Sequence, residues 1–97
     1  MTVSMSDCAT MLKALADPTR LSVVRLLLRG DYRVSEIHDQ IGEVEQSLLS
    51  HHLKILRDVG IVRTRRDGRF ILYQLAPDFR IHTRTHGLDF GCCKLTF

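Results

Sequence analysis

Three cysteines and a knot of arginines carry the reactive and charge-bearing groups of this chain. Cys8 lies near the amino end, while Cys92 and Cys93 are adjacent near the carboxyl end. An odd count without a secretion signal argues against a disulfide framework and for free thiols. Thiolates prefer soft ions such as arsenite, cadmium or lead, and three of them suit trivalent arsenic in a pyramidal arrangement. Neighbours on an extended strand point to opposite faces, so Cys92 and Cys93 can share an ion only where the backbone turns, and Gly91 can supply that turn. Plainer roles compete. Cys8 shares an apolar helical stripe and can serve as a small buried hydrophobe, and residues 88–97 can form an ordinary closing strand. His82 and His86 read as solvated side chains rather than ligands.

The arginines are Arg63, Arg65, Arg66 and Arg69, with one acid, Asp67, among them. A net charge of +3 and a pI of about 9.0 permit a polyanionic partner without requiring one. The local concentration says more. Asp67-Gly68 separates two β-rich runs, 61–66 and 69–75, which is a strong hairpin signal. A two-residue Asp67-Gly68 loop places Arg66 opposite Arg69 and Arg65 opposite Phe70, so like charges face each other at the tip. A phosphate backbone relieves that repulsion, and each phosphate neutralised releases counterions. Solubility is the competing explanation.

The elements that position these groups follow from periodicity and capping. Cys8, Met11, Leu12 and Leu15 share one face of a helix over 6–15. Asp17-Pro18 starts a second helix to about residue 29, striped by Leu21, Val24, Leu27 and Leu28 and ended by Gly30. A short helix over 35–41 and a longer one over 45–59 are joined by a tight connection, which suggests a helix-turn-helix. In the longer helix Leu49, Leu53 and Leu56 mark the buried stripe. Gln46, Ser47, Ser50, His51 and Lys54 gather on another face, short and rich in donors and acceptors, as an element entering a major groove must be. Any amphipathic helix has a polar side, so this face alone decides nothing. After Pro77 the alternation of Arg80, His82, Arg84 and His86 fits either a strand or a helix. The expected architecture is mainly α with a β-hairpin wing (α+β), a winged helix-turn-helix in a single domain over 1–97. No apolar run is long enough to span a bilayer, and a cytoplasmic location is expected.

Residues 14–21, Ala-Leu-Ala-Asp-Pro-Thr-Arg-Leu, and residues 46–62, Gln-Ser-Leu-Leu-Ser-His-His-Leu-Lys-Ile-Leu-Arg-Asp-Val-Gly-Ile-Val, resemble the ArsR/SmtB family. The hairpin Arg65-Arg66-Asp67-Gly68-Arg69, with Tyr73 and Leu75, looks like that family's wing. The resemblance implies a homodimeric transcriptional repressor that leaves operator DNA when an inducer binds, usually a metal ion or metalloid and sometimes an oxidant. It implies that Gln46, Ser47, Ser50 and His51, with Lys54 on the same face, lie in the major groove, that Arg65, Arg66 and Arg69 touch the flanking DNA, and that His52 is a structural hydrogen-bonding residue. Many metal sensors of the family carry Glu-Leu-Cys-Val-Cys-Asp-Leu early in the third helix; here Tyr32-Arg33-Val34-Ser35-Glu36-Ile37 stands there without a thiol. Asp78, His82, His86 and Asp89 do not reproduce the spacing of the family's zinc site either. Sulfur remains, and some arsenic-responsive members use an adjacent cysteine pair plus one more. The expected inducer is arsenite or another soft metal ion on Cys8, Cys92 and Cys93, with thiol redox sensing as the alternative. A winged-helix protein-interaction module is a further reading, whereas an enzyme would need a pocket and an activating base that the sequence does not offer.

Overall fold

The computed structural model describes residues 4–77 and 87–97. Helix α1 (Met5–Leu15) begins where Ser4 Oγ accepts from the Asp7 N–H at 3.0 Å. Helix α2 (Pro18–Leu27) begins where Asp17 Oδ1 accepts from the N–H groups of Thr19 and Arg20, at 2.9 and 3.0 Å. Pro18 occupies its first turn, where a missing N–H is harmless. These bonds, that from Arg20 foremost, hold the Asp17 carboxyl below its ordinary value of 3.8. The carboxylate therefore stabilises the fold fully above 3.8, and the contribution drains away as pH falls through the lower folded value. Asp17→Ala is expected to cost about 1 kcal/mol near neutral pH and less in acid. Urea melts of both proteins at the two conditions check this, and a gap that does not narrow in acid would contradict it.

Strand β1 (Tyr32–Arg33) leads directly into α3 (Val34–Ile41), followed by α4 (Gln46–Asp58). Gly60 ends α4 at φ 85°, donating to the Arg57 carbonyl while the Ile61 N–H reaches back to the Leu56 carbonyl at 3.1 Å. That pairing closes the helix and seats Ile61 against Leu56, both fully buried. Strands β2 (Val62–Asp67) and β3 (Phe70–Leu75) form the wing, and β1 extends it on the far side of β3, giving the order β1-β3-β2. The observed boundaries differ from expectation by one or two residues, as frayed ends do.

The wing register corrects the sequence reading. Asp67 pairs with Phe70, Arg66 with Ile71 and Arg65 with Leu72, so the loop is Gly68-Arg69 and Arg66 does not face Arg69. The cause lies in the turn. Gly68 alone takes positive φ, at 61°, and no other residue type does so anywhere among the described residues. A loop with positive φ only at its first residue tolerates arginine second, whereas the expected loop required it of Asp67 as well.

The core joins α1 to α4 and the wing through Met11, Leu15, Val24, Leu27, Ile37, Leu49, Leu53, Leu56 and Leu75. Leu12, expected inward, is 47% exposed. Strands β4 (Gly87–Asp89) and β5 (Lys94–Thr96) form a second antiparallel pair in which Leu88 faces Leu95. Leu88 and Phe90 reach the same core with 0% and 1% of their surface exposed. Residues 88–97 are thus a hairpin and not a single closing strand. The alternating stretch with Arg80, His82, Arg84 and His86 lies outside the described residues. No helix among them is long and apolar enough to cross a membrane.

Candidate nucleic-acid interface and sulfur cluster

Helix α4 divides as its sequence predicts. Leu49, His52, Leu53 and Leu56 are buried, and Gln46, Ser47, Ser50, His51 and Lys54 are all exposed. Two of the exposed side chains have intramolecular partners: Ser47 Oγ donates to Glu45 Oε1 at 2.9 Å, and Lys54 Nζ lies 3.5 Å from Asp58 Oδ2 in a solvated pair. Such exposed contacts are weak and easily exchanged for a ligand's.

Behind that face, His52 Nδ1 lies 3.1 Å from Arg20 Nη1, and Arg20 Nε donates to the Ala14 carbonyl. A guanidinium only donates, so the imidazole accepts at Nδ1. Arg20 thereby ties the last turn of α1 to the buried side of α4 and sets the rotation with which α4 presents its polar face. His52 holds the helix and does not belong to its exposed surface.

The wing's arginines fall into two groups. Arg65 Nε pairs with Asp31 Oδ2 at 3.3 Å, Gln74 Nε2 donates to the same oxygen at 3.0 Å, and Arg63 Nε donates to Gln74 Oε1 at 2.6 Å. This network links β2 and β3 to the segment before β1 and gives Arg65 a partly exposed acidic partner. Arg66 and Arg69 are exposed, and neither has an ion pair among the described residues. Arg33, absent from the sequence-based assignment, stacks its guanidinium 4.4 Å above the Phe70 ring and pairs with Glu36 at 3.2 Å. Glu36 Oε1 also accepts from the Arg33 N–H at 2.9 Å, the main reason its carboxyl sits below the ordinary range.

The three sulfurs converge from opposite ends of the chain. Cys8 and Cys92, separated by 84 residues, are joined as a disulfide with Cα atoms 6.5 Å apart, correcting the expectation of three thiols. Cys93 is free, its Sγ 3.8 Å from that of Cys92, and all three sulfurs lie within 4.8 Å of one another. Gly91, at φ 85°, makes the turn that brings two adjacent cysteines to one side, with the Phe90 N–H bonded to the Cys93 carbonyl at 2.9 Å. Asp89 Oδ1 fastens the turn by accepting from the Gly91 N–H at 2.8 Å. Cys8 is buried and the other two are half-buried, so the cluster is open to solvent from the hairpin side. Once reduced, this donor set fits a soft trivalent ion: three thiolates close together with no carboxylate among them.

Residues 17–64 match the bacterial regulatory protein family named for arsR. An arsenical resistance operon repressor of Staphylococcus xylosus is 36% identical over 77 residues, 79% of this chain and 73% of its own length. The chain belongs to the ArsR family. A biofilm growth-associated repressor of Agrobacterium fabrum is 40% identical over 73 residues, 75% of this chain. The matched span covers 62% of that relative's length. A homodimeric winged helix-turn-helix DNA-binding domain from Mycobacterium bovis superimposes with a TM-score of 0.69 at 32% identity, over 74% of this chain and 66% of that one. These relatives are regulators and not enzymes, and the fold is the winged helix-turn-helix. In this ArsR-family chain the matched residues 17–64 take in α2, α3, α4 and the start of the wing. All three cysteines lie outside them, so the likeness to the family profile concerns α2 to α4 and the start of the wing and not the sulfurs.

Proposed function

We propose that this ArsR-family chain is a homodimeric transcriptional repressor, acting in the cytoplasm, that reads operator DNA with α4 and its wing and lets go when arsenite or another soft metal ion occupies Cys8, Cys92 and Cys93. The observation that carries the sensing half is the convergence of three sulfurs, brought within 4.8 Å from the first helix and the last hairpin. The name of the S. xylosus relative, an arsenical resistance repressor, supports the same inducer class. Gln46, Ser47, Ser50, His51 and Lys54 read base edges, while Arg66 and Arg69, with Arg65 behind them, neutralise flanking phosphates. Dimerisation through α1 is supported by its outward apolar side chains Met5 and Leu12, 77% and 47% exposed, and by the homodimeric M. bovis relative.

Cys8, Cys92 and Cys93 would hold the ion, and their bonds to it would tie the start of α1 to the C-terminal hairpin. Because Arg20 links α1 to α4, a displaced α1 bears on the helix that reads DNA. The ion shifts the protein toward release only to the extent that it binds the released form more tightly. A second reading rests on the Cys8–Cys92 disulfide. Peroxide oxidising the two thiols would form that bond and two waters, and oxidation would then be the inducing event.

The DNA half is tested by anisotropy titrations on a duplex recovered from a random pool and on its scrambled counterpart. Arg66→Ala and Arg69→Ala are expected to weaken both alike and to flatten the salt dependence by about one unit of slope each. Ser50→Ala and His51→Ala should reduce the preference between duplexes, by about 1–3 kcal/mol where a base contact is lost. Equal losses on both duplexes for the α4 variants would sink the assignment of α4 as the reading helix.

A further inference from the structure

A cleft of about 470 Å³ opens between the start of α3, the end of α4 and the tip of the wing. Arg33, Arg57 and Arg69 line it together with the hydroxyl-bearing Ser35, Thr64 and Tyr73, and no carboxylate does. Three arginines around one hollow make a local excess of positive charge that an anion would balance. The Glu36 carboxylate, paired with Arg33 at 3.2 Å, offsets one of the three charges, and Arg57 and Arg69 have no ion pair among the described residues. Planar guanidiniums and hydroxyl donors suit phosphate oxygens.

The geometry points to this cleft as the seat of one backbone phosphodiester of bound DNA, with Arg57 as its principal contact. The inference rests on the DNA-reading function proposed above and adds to it a contact outside the reading face and the wing's own arginines. Position favours a DNA phosphate over a free anion. Arg57 stands seven and eleven residues after Ser50 and Gln46, hence on the same side of α4 as those readers. Arg69 belongs to the wing loop. The cleft thus bridges the two elements that straddle the duplex, and a phosphate held there fixes the register of one against the other without sensing sequence. Stacking on Phe70 holds the Arg33 guanidinium at the rim.

The test pairs Arg57→Ala with DNA in which single phosphates are replaced by neutral methylphosphonates, using the selected and scrambled duplexes. Arg57 is exposed, and a melt confirms that the variant is folded. The expected result is an equal loss of affinity on both duplexes and a plot of log K against log salt shallower by about 0.9. One methylphosphonate position that weakens the parent should also leave Arg57→Ala unaffected. An unchanged slope, a loss confined to the selected duplex, or a methylphosphonate pattern identical in parent and variant would overturn the proposal while leaving DNA reading intact. A parent protein that binds neither duplex at low salt would overturn the DNA-reading function, and this inference with it.

Discussion

Replacing Cys92 and Cys93 together by serine is expected to abolish release from DNA by arsenite, while affinity in its absence stays within about twofold of the parent, since neither residue belongs to the exposed face of α4 or to the wing. The reason is coordination chemistry: a trivalent soft ion held by three thiolates keeps no useful site when two become hydroxyls. Cys8→Ser removes one donor and should weaken the response without always eliminating it. The reduced protein must be used, because sulfurs committed to the Cys8–Cys92 bridge are not thiolates. Gel shifts with arsenite, cadmium and peroxide in parallel separate the readings. If peroxide alone releases DNA, and Cys8→Ser or Cys92→Ser blocks it while Cys93→Ser does not, the redox reading stands. A double variant that answers arsenite as the parent does would place the sensing site elsewhere.

The second large effect concerns the anchor of that cluster. Phe90 is 1% exposed and immediately precedes the turn carrying both cysteines. Phe90→Ala removes a buried aromatic ring and should cost about 3–5 kcal/mol of stability, from the lost transfer energy and the cavity left behind. For a chain of 97 residues that is a large share of the total. Phe90→Leu should cost less, because it retains much of the buried apolar volume. Urea melts under reducing conditions give both values without the bridge's contribution. A loss below 1 kcal/mol for alanine would mean that the hairpin does not share the main core. Undocking of the hairpin also carries Cys92 and Cys93 away from Cys8, so folded Phe90→Ala protein should bind arsenite more weakly than the parent.

Much of the fold was legible in the sequence because local rules governed it. Asp17-Pro18 states a helix start in its own side chains, the stripe of Leu49, Leu53 and Leu56 states which face of α4 is buried, and a glycine beside Asp67 states a hairpin. The polar face from Gln46 to Lys54 was visible for the same reason: burial of one side leaves the other exposed. The loop sits one residue later than the sequence suggests, which moves every cross-strand partner by two, since its place depends on which loop residues take positive φ, and Asp-Gly is compatible with more than one answer. Arg57 could have been placed by counting turns from Gln46 and Ser50, but its meeting with Arg33 and Arg69 could not.

The sequence by itself determined the helices, the hairpin wing, the exposed polar face of α4 and the presence of three sulfurs. Only the tertiary structure decided that those sulfurs meet, that Arg65 is engaged by Asp31, and that Arg20 couples α1 to His52. The physical reason is the range of the forces involved. Periodicity, capping and turn preference act over a few residues and are written in neighbouring side chains. Cys8 and Cys92, 84 positions apart, meet because Phe90 and Leu88 bury themselves in a core built by α1, α2 and α4, and such packing exists only once the chain has folded.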